Sequence, residues 1–297
     1  MADARLAGTM ASEAWELAGR AAREADVEIR ALRDLDDAGP VLEVMIATWG
    51  PYQLLPPELI RALQGSGNPP YGAFRGRGMI GYVLGFLGHD PVDGLHVHSH
   101  MLAVVPDRRH AGVGYALKLA QRAAALDAGA HVVRWTFDPM QAANAHFNVN
   151  KLGTTADRFH RHYYGDMTDE LNRGERTDRL EARWDLDRRP VRRPGIPGVE
   201  RDVLRNRSGR PQRTGDPEPA EGGFRVETVR DYPVLRETDP GLAAAWRDAV
   251  ADALEACFGQ GMVVGAFDSD PSGPPAYVLG LPAAIVDRPD AVMEAEA

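Results

Sequence analysis

Arg109, Gly112 and Gly114 stand in an Arg-x-x-Gly-x-Gly spacing, directly after the apolar run Leu102-Ala103-Val104-Val105 and the turn Pro106-Asp107-Arg108. The chemistry such a spacing offers is anion binding. N–H groups in the first turn of a helix lack intrahelical acceptors, and glycine removes the Cβ atoms that would hold a ligand away from them. The macrodipole adds about 0.3–1 kcal/mol for a negative charge at that end, and each hydrogen bond to a charged phosphate oxygen adds roughly 1.5–3 kcal/mol. A cradle of Arg109, His110, Ala111, Gly112, Val113 and Gly114 therefore suits a pyrophosphate. A dinucleotide loop needs a third glycine where this chain has Leu117, and a Walker loop needs Gly-Lys-Ser/Thr where Gly114 is followed by Tyr115 and Ala116, so both of those readings fail.

His96, His98 and His100 form a second group, at alternate positions of one apolar stretch, and strand alternation predicts all three on one face. An imidazole with an unperturbed pKa of about 6.5 suits a general base at neutral pH. The alternative is a half-exposed strand face that tolerates polar residues. Zinc fits poorly, because ligands at i, i+2 and i+4 diverge along a strand and no cysteine lies nearby to complete the set.

The elements that must carry these residues follow from periodicity. Ala11 to Ala25 reads as a helix, Val27 to Leu32 as a half-buried strand, and Asp36 or Asp37 caps a helix bearing Val41, Leu42, Val44, Met45 and Ile46. A short helix at 57–63 is followed by strands at 71–75 and 79–88 and a third at 95–105. The pattern then turns helical from Gly112 to Ala128, with Val113, Ala116, Leu117, Ala120, Ala123 and Ala124 on one face and Gly129 as the stop. A strand at 131–137, a helix at 140–152 ended by Gly153, and a strand at 155–164 complete the series.

The loop, the preceding Leu102-Ala103-Val104, the helix end Lys151-Leu152-Gly153 and this element order together resemble the GNAT superfamily of N-acyltransferases, over Val27 to about Gly165. Trp135-Thr136-Phe137-Asp138-Pro139 and Asn144-Ala145-His146-Phe147-Asn148 look like a subgroup of bacterial GNAT proteins with a C-terminal extension. The resemblance implies an α+β GNAT fold, a mixed central sheet flanked by helices. It also implies acetyl-CoA or another acyl-CoA as co-substrate and direct transfer to an amine, without a metal. The backbone of Leu102 and Val104 would hold the amide arm of CoA, Arg109 through Gly114 its pyrophosphate, and Asn144 or Asn148 an amide contact. His98-Ser99-His100 matches the His-x-His pair with which arylalkylamine relatives relay the amine proton. An amine with a pKa of about 10.4 needs roughly 4.6 kcal/mol to lose its proton at pH 7, so a placed base matters.

The chain departs from the family where many members carry a tyrosine acid, because Val149 holds that position and Ala142 the matching asparagine position. Tyr163 or Tyr164 would then be the acid, with Tyr164 the chosen candidate, unless the thiolate leaves unaided. Trp135, Phe137 and Tyr52 are candidates to wall an acceptor pocket, and Arg158 or Arg161 to grip a carboxylate. A small amine or amino acid is the expected acceptor. An idle acyl-CoA sensor and a protein N-acetyltransferase are the competing functions.

The 297 residues suffice for one large or two modest domains, and 44% hydrophobic with 26% charged residues is ordinary for a globular protein. The net charge of −9 argues against nucleic acid as a partner. The single Cys257 excludes an internal disulfide framework and fits a reducing, cytoplasmic setting. No apolar run approaches the ~20 residues of a membrane span. The expected organisation is an N-terminal helix at 1–26, the acyltransferase domain at 27–186, a flexible Arg/Pro/Gly-rich linker at 187–222, a small strand-helix-strand-strand unit at 223–286, and an acidic tail at 287–297. The small unit is short of apolar area, so it is expected to pack on the first domain or on a second subunit, which leaves room for a homodimer.

Overall fold

The computed structural model describes residues 2–51, 54–108, 111–167, 174–187, 194–195, 201–218, 222–284 and 286–287. The expected acidic tail, save its first residue, lies outside them. The chain forms two compact units, the first made of residues 1–135, 166–175 and 185–187 and the second of 136–165, 176–184 and 188–297. The architecture is the expected one: mixed sheet flanked by helices in GNAT order, with added C-terminal strands and helices. Among the described residues no helix is long and apolar enough to cross a membrane.

In the first unit, β1 (Glu28–Ala31), β2 (Tyr71–Arg75), β3 (Gly78–Asp90) and β4 (Gly94–Val104) form an antiparallel sheet, and β5 (Val132–Phe137) joins β4 in parallel. One face is covered by α2 (Ala38–Trp49) and α3 (Pro57–Gly65), where Val41, Val44, Met45 and Ile60 meet Tyr82, Leu84 and Ala103. Asp37 does not cap α2 as expected; its carboxylate turns back to the Asp34 N–H and to Arg30. The other face is covered by α4 (Val113–Asp127), where Val113 and Leu117 pack on Ala73 and Val83. Helix α1 (Ala2–Glu24) lies along α4. Its buried face carries Ala11, Ala14, Ala18, Ala21 and Ala22, small residues at helical spacing that let the two backbones approach. Trp15 closes this contact by donating its Nε1–H to Asp127 at 2.6 Å.

The second unit begins with α5 (Ala142–Ala145), whose last turns widen into a π-helix over His146–Lys151. The widening places the Asn148 carbonyl where the Thr154 N–H and hydroxyl reach it at 3.2 and 3.0 Å. Strand β6 (Thr155–His160) is shorter than expected: residues 161–164 form a turn with His162 at φ +50°, so Arg161, Tyr163 and Tyr164 leave the strand. Strand β7 (Arg179–Asp185) pairs antiparallel with β6. Small β8 (Pro194–Gly195) precedes a hairpin of β9 (Arg201–Arg207) and β10 (Arg210–Arg213). This hairpin corrects the expectation of a flexible linker, since Val203 and Leu204 are each 1% exposed and β9 runs parallel to β11 (Phe224–Glu227). After α6 (Tyr232–Thr238) and α7 (Pro240–Gly259), β12 (Val263–Asp268) and β13 (Ala276–Gly280) complete the sheet, and β14 (Val286–Asp287) pairs with β8. Because β12 pairs with β6, the C-terminal elements and the end of the expected acyltransferase domain form one unit, which the expected boundary at 186 had divided. Arg247 of α7, 5% exposed, locks the unit by reaching both Asp138 oxygens at 3.2 and 3.1 Å and the Tyr232 hydroxyl at 3.1 Å.

Candidate functional site

Strand β4 contains one residue more than β3 needs: Leu84 pairs with Met101 and Gly85 with Ser99, so His100 is a bulge. A bulge bends its strand. Below it, β4 pairs with β5 at Val97 with Val133 and at His98 with Arg134, and no further rung of that ladder is present among the described residues. The strands therefore part at the level of Ser99 and Trp135. Above the bulge the Val105 N–H donates to the Ile80 carbonyl at 2.9 Å, toward β3. Backbone direction alternates along a strand, so Ala103 faces β3 as well, and the N–H and C=O groups of Leu102 and Val104 face the side where β5 has diverged. The backbone pair expected to grip an extended amide arm points into this opening.

From β4 the chain passes through a 3-10 turn at Pro106–Arg108 to Gly112, which opens α4. Arg109 and His110 lie outside the described residues. Gly112 has φ +79°, a left-handed conformation that side-chain-bearing residues rarely adopt, and a Cβ there would also meet Ala25 at 3.6 Å. Ala111 and Gly112 are exposed, while Val113, 1% exposed, anchors the turn in the core. The Ala116 N–H to Gly112 carbonyl bond, 3.0 Å, closes the first turn, so the N–H groups of Val113, Gly114 and Tyr115 project from the helix end.

The histidines divide. His98 and His100 form one aromatic cluster with Phe86, with ring centroids 5.2 Å (Phe86 to His98), 6.3 Å (Phe86 to His100) and 5.9 Å (His98 to His100) apart. The cluster is on the sheet face away from α4. His100 keeps solvent contact, yet the protein packed around its ring disfavours the charged form and lowers its pKa. His96 is engaged separately, with Nδ1 3.1 Å from the Gly94 carbonyl and 3.6 Å from Asp90. Among the described residues no group of three or more His, Cys, Asp or Glu is placed to hold a metal ion.

On the α4 face, directly where β4 and β5 part, stands a residue that the sequence reading passed over. Lys118 is 2% exposed; its Nζ donates to Ser99 Oγ at 3.0 Å and Gln121 Oε1 at 2.9 Å and lies 3.6 Å from the Trp135 ring centroid. Burial pushes its pKa well below the ordinary lysine range. The available signal was compositional, for Lys118 and Lys151 are the only lysines in the chain. Trp135 and Phe137, expected to wall an acceptor pocket, are 7% and 5% exposed, and Trp135 serves as the cover of Lys118.

The remaining candidates belong to the second unit. Tyr164 sits within 3.0 Å of Thr136 Oγ1 through its hydroxyl, edge-on to Tyr163 and 5.4 Å from the Arg179 guanidinium. Arg161 spans Glu255 with both arms at 2.7 Å and reaches Asp252 at 2.6 Å, so its fork already holds carboxylates of α7. Arg158 lies 3.5 Å from Glu181. Asn144 is exposed, whereas Asn150 is a structural clamp on the Phe267 backbone, donating to its carbonyl at 2.7 Å. Val149 is fully buried, and Tyr52 lies outside the described residues.

No protein-family model matches the chain. No curated protein matches it. Solved structures do: the ribosomal-protein-S18-alanine N-acetyltransferase from Escherichia coli is 16% identical over 54% of this chain and 94% of its own, with a TM-score of 0.44. Naa20 from Chaetomium thermophilum, solved with a bisubstrate analogue, is 21% identical over 56% and 92%, with a TM-score of 0.44. An N-acetyltransferase from Staphylococcus aureus is 13% identical over 54% and 98%, with a TM-score of 0.43. Likeness at this level says nothing of what this chain acts on.

Proposed function

We propose that the chain is a CoA-dependent N-acyltransferase that moves an acyl group, acetyl first and succinyl as a second donor, to the amine of a small molecule or amino acid. The observation that carries this reading is the parting of β4 from β5 after His98 and Arg134, with the Leu102 and Val104 backbone aimed into the gap. The left-handed Gly112 at the head of α4 supports it, because a side chain there would be strained and would crowd a diphosphate. Leu102 and Val104 would hold the amide arm, Arg109, His110, Ala111, Gly112, Val113 and Gly114 the diphosphate, and Asn144 an amide contact. The bound thioester supplies the activated acyl carbon.

His98 and His100 take the proton that the attacking amine loses as its nitrogen bonds to that carbon and the carbon–sulfur bond breaks. The lowered pKa of His100 keeps its ring neutral, the form that can accept. Tyr164 is assigned as the proton donor to the departing thiolate. Trp135, Phe137 and Arg161 remain the assigned acceptor contacts, although the first two are buried and the third is held by Glu255 and Asp252. We place the protein in the cytoplasm, with no nucleic-acid or membrane partner, and a homodimer is compatible with this assignment.

The test is thiol release from acetyl-CoA and succinyl-CoA against a panel of amines, amino acids and peptides. Acceptor-dependent release that falls about 100- to 10,000-fold in His98→Ala or His100→Ala supports the enzyme. CoA binding without turnover on any acceptor would establish the second reading, an acyl-CoA sensor, which the buried Val149 at the usual acid position favours. Release only with peptides would identify a protein N-acetyltransferase.

A further inference from the structure

The first unit contains a cavity of about 310 Å³ on the α4 face of the sheet, near the C-terminal end of that helix. Gly112 and Asp127 are fifteen residues apart, so the cavity mouth is about 22 Å along the helix from the diphosphate cradle. His98 and His100 lie on the opposite face and take no part in the lining, whereas Phe86, which packs beside them, also borders the cavity. The cavity mouth is therefore remote from the diphosphate cradle, while its inner wall at Gln121 and Val97 adjoins the Lys118 end of the gap.

Its lining divides by chemistry. Val83, Val97, Ala124 and Ala125 make an apolar floor, and Arg33 and Asp127 stand exposed at the rim with Tyr71. The Tyr71 phenol feels both charges: burial raises its pKa, Arg33 opposes the rise and Asp127 adds to it. Among the described residues the Arg33 side chain makes no hydrogen bond or ion pair. Asp127 gives one carboxylate oxygen to Trp15. Gln121 also lines the cavity, and because its carbonyl accepts from Lys118, its amide N–H groups are the part left to meet a ligand oxygen. Glycine at position 85 makes room for that amide, since a Cβ there would lie 2.8 Å from Gln121 Nε2.

A cation, an anion and amide donors above an apolar floor match a zwitterion with a hydrocarbon tail, and the volume is at the small end of ligand pockets, about 300–1,000 Å³. We propose that this cavity binds a free α-amino acid with a small aliphatic side chain, its carboxylate toward Arg33, its ammonium toward Asp127 and its side chain on Val83, Val97 and Ala124. The rim charges are hydrated, so binding weakens as salt rises.

Titration calorimetry of the full chain with L-valine tests this, beside N-acetyl-L-valine, which lacks the ammonium, and L-valinamide, which lacks the carboxylate. L-valine is expected to bind, with both capped forms at least tenfold weaker. Arg33→Gln is expected to weaken binding at least fivefold and Ala124→Leu to abolish it by filling the floor, while CoA binding stays unchanged in both. The proposal is overturned if L-valine gives no heat, if the capped forms bind equally well, or if both variants bind as the parent does. Binding that survives in these variants and is lost in His98→Ala would place the ligand on the opposite face and also overturn it.

Discussion

His100 sits at the bulge of β4 with its ring open to solvent and its pKa depressed by the protein around it. A depressed histidine pKa means that the native state gives up its proton at a lower pH than the unfolded chain. Thiol release is therefore expected to rise with pH through an inflection below about 6.5 and to level off above it. A pH–rate profile checks this, and His100→Ala is expected to lose the inflection along with the rate. The same shift makes stability fall as pH drops below about 6.5, because the unfolded chain then binds the extra proton. The alternation His98-Ser99-His100 was legible in the sequence, and so was the glycine-rich turn. The bulge was not, because it is defined by the pairing of Gly85 with Ser99 across strands rather than by anything local to β4. Arg161 shows the same limit: a lone arginine in sequence carries no sign that Glu255, ninety-four positions on, will occupy its fork.

At the level of elements, α4 ties the two halves of the gap together through Lys118, which bonds Ser99 of β4 and underlies Trp135 of β5. An unfolded lysine holds its proton up to about pH 10.4, whereas this one loses it earlier. Stability should then climb between the native value and about pH 10.4, by at most about 1.4 kcal/mol per pH unit. Urea unfolding at pH 7 and pH 9 measures the climb, and Lys118→Met is expected to remove this contribution. An unchanged slope in the variant would mean that Lys118 keeps its charge when buried. A helix with clean periodicity such as α4, expected over 112–128 and observed over Val113–Asp127, was readable within a residue at each end. The β9–β10 hairpin was hidden because five of its thirteen residues are arginine, and only Val203 and Leu204 mark the buried side.

On the scale of the whole molecule, the boundary between the two compact units falls inside β5, and long-range pairing such as Val264 with Ala156 explains why no local composition shift announces it. Cys257 offers a reporter for the second unit. It is fully buried, and burial pushes its thiol pKa up to about 12. Alkylation by iodoacetamide at pH 8 should be at least about 100-fold slower in the native protein than in urea, since the thiolate is the reactive form. Equal rates would show that the unit opens freely.

The bulge at position 100 has a further consequence for how the acyl-transfer slot exists at all. Both flanks of β4 are already in step with β3, so excising that single residue would leave every neighbouring side chain on its present face and simply straighten the strand. A straightened β4 would zip alongside β5 beyond His98, trading an entrance for continuous sheet.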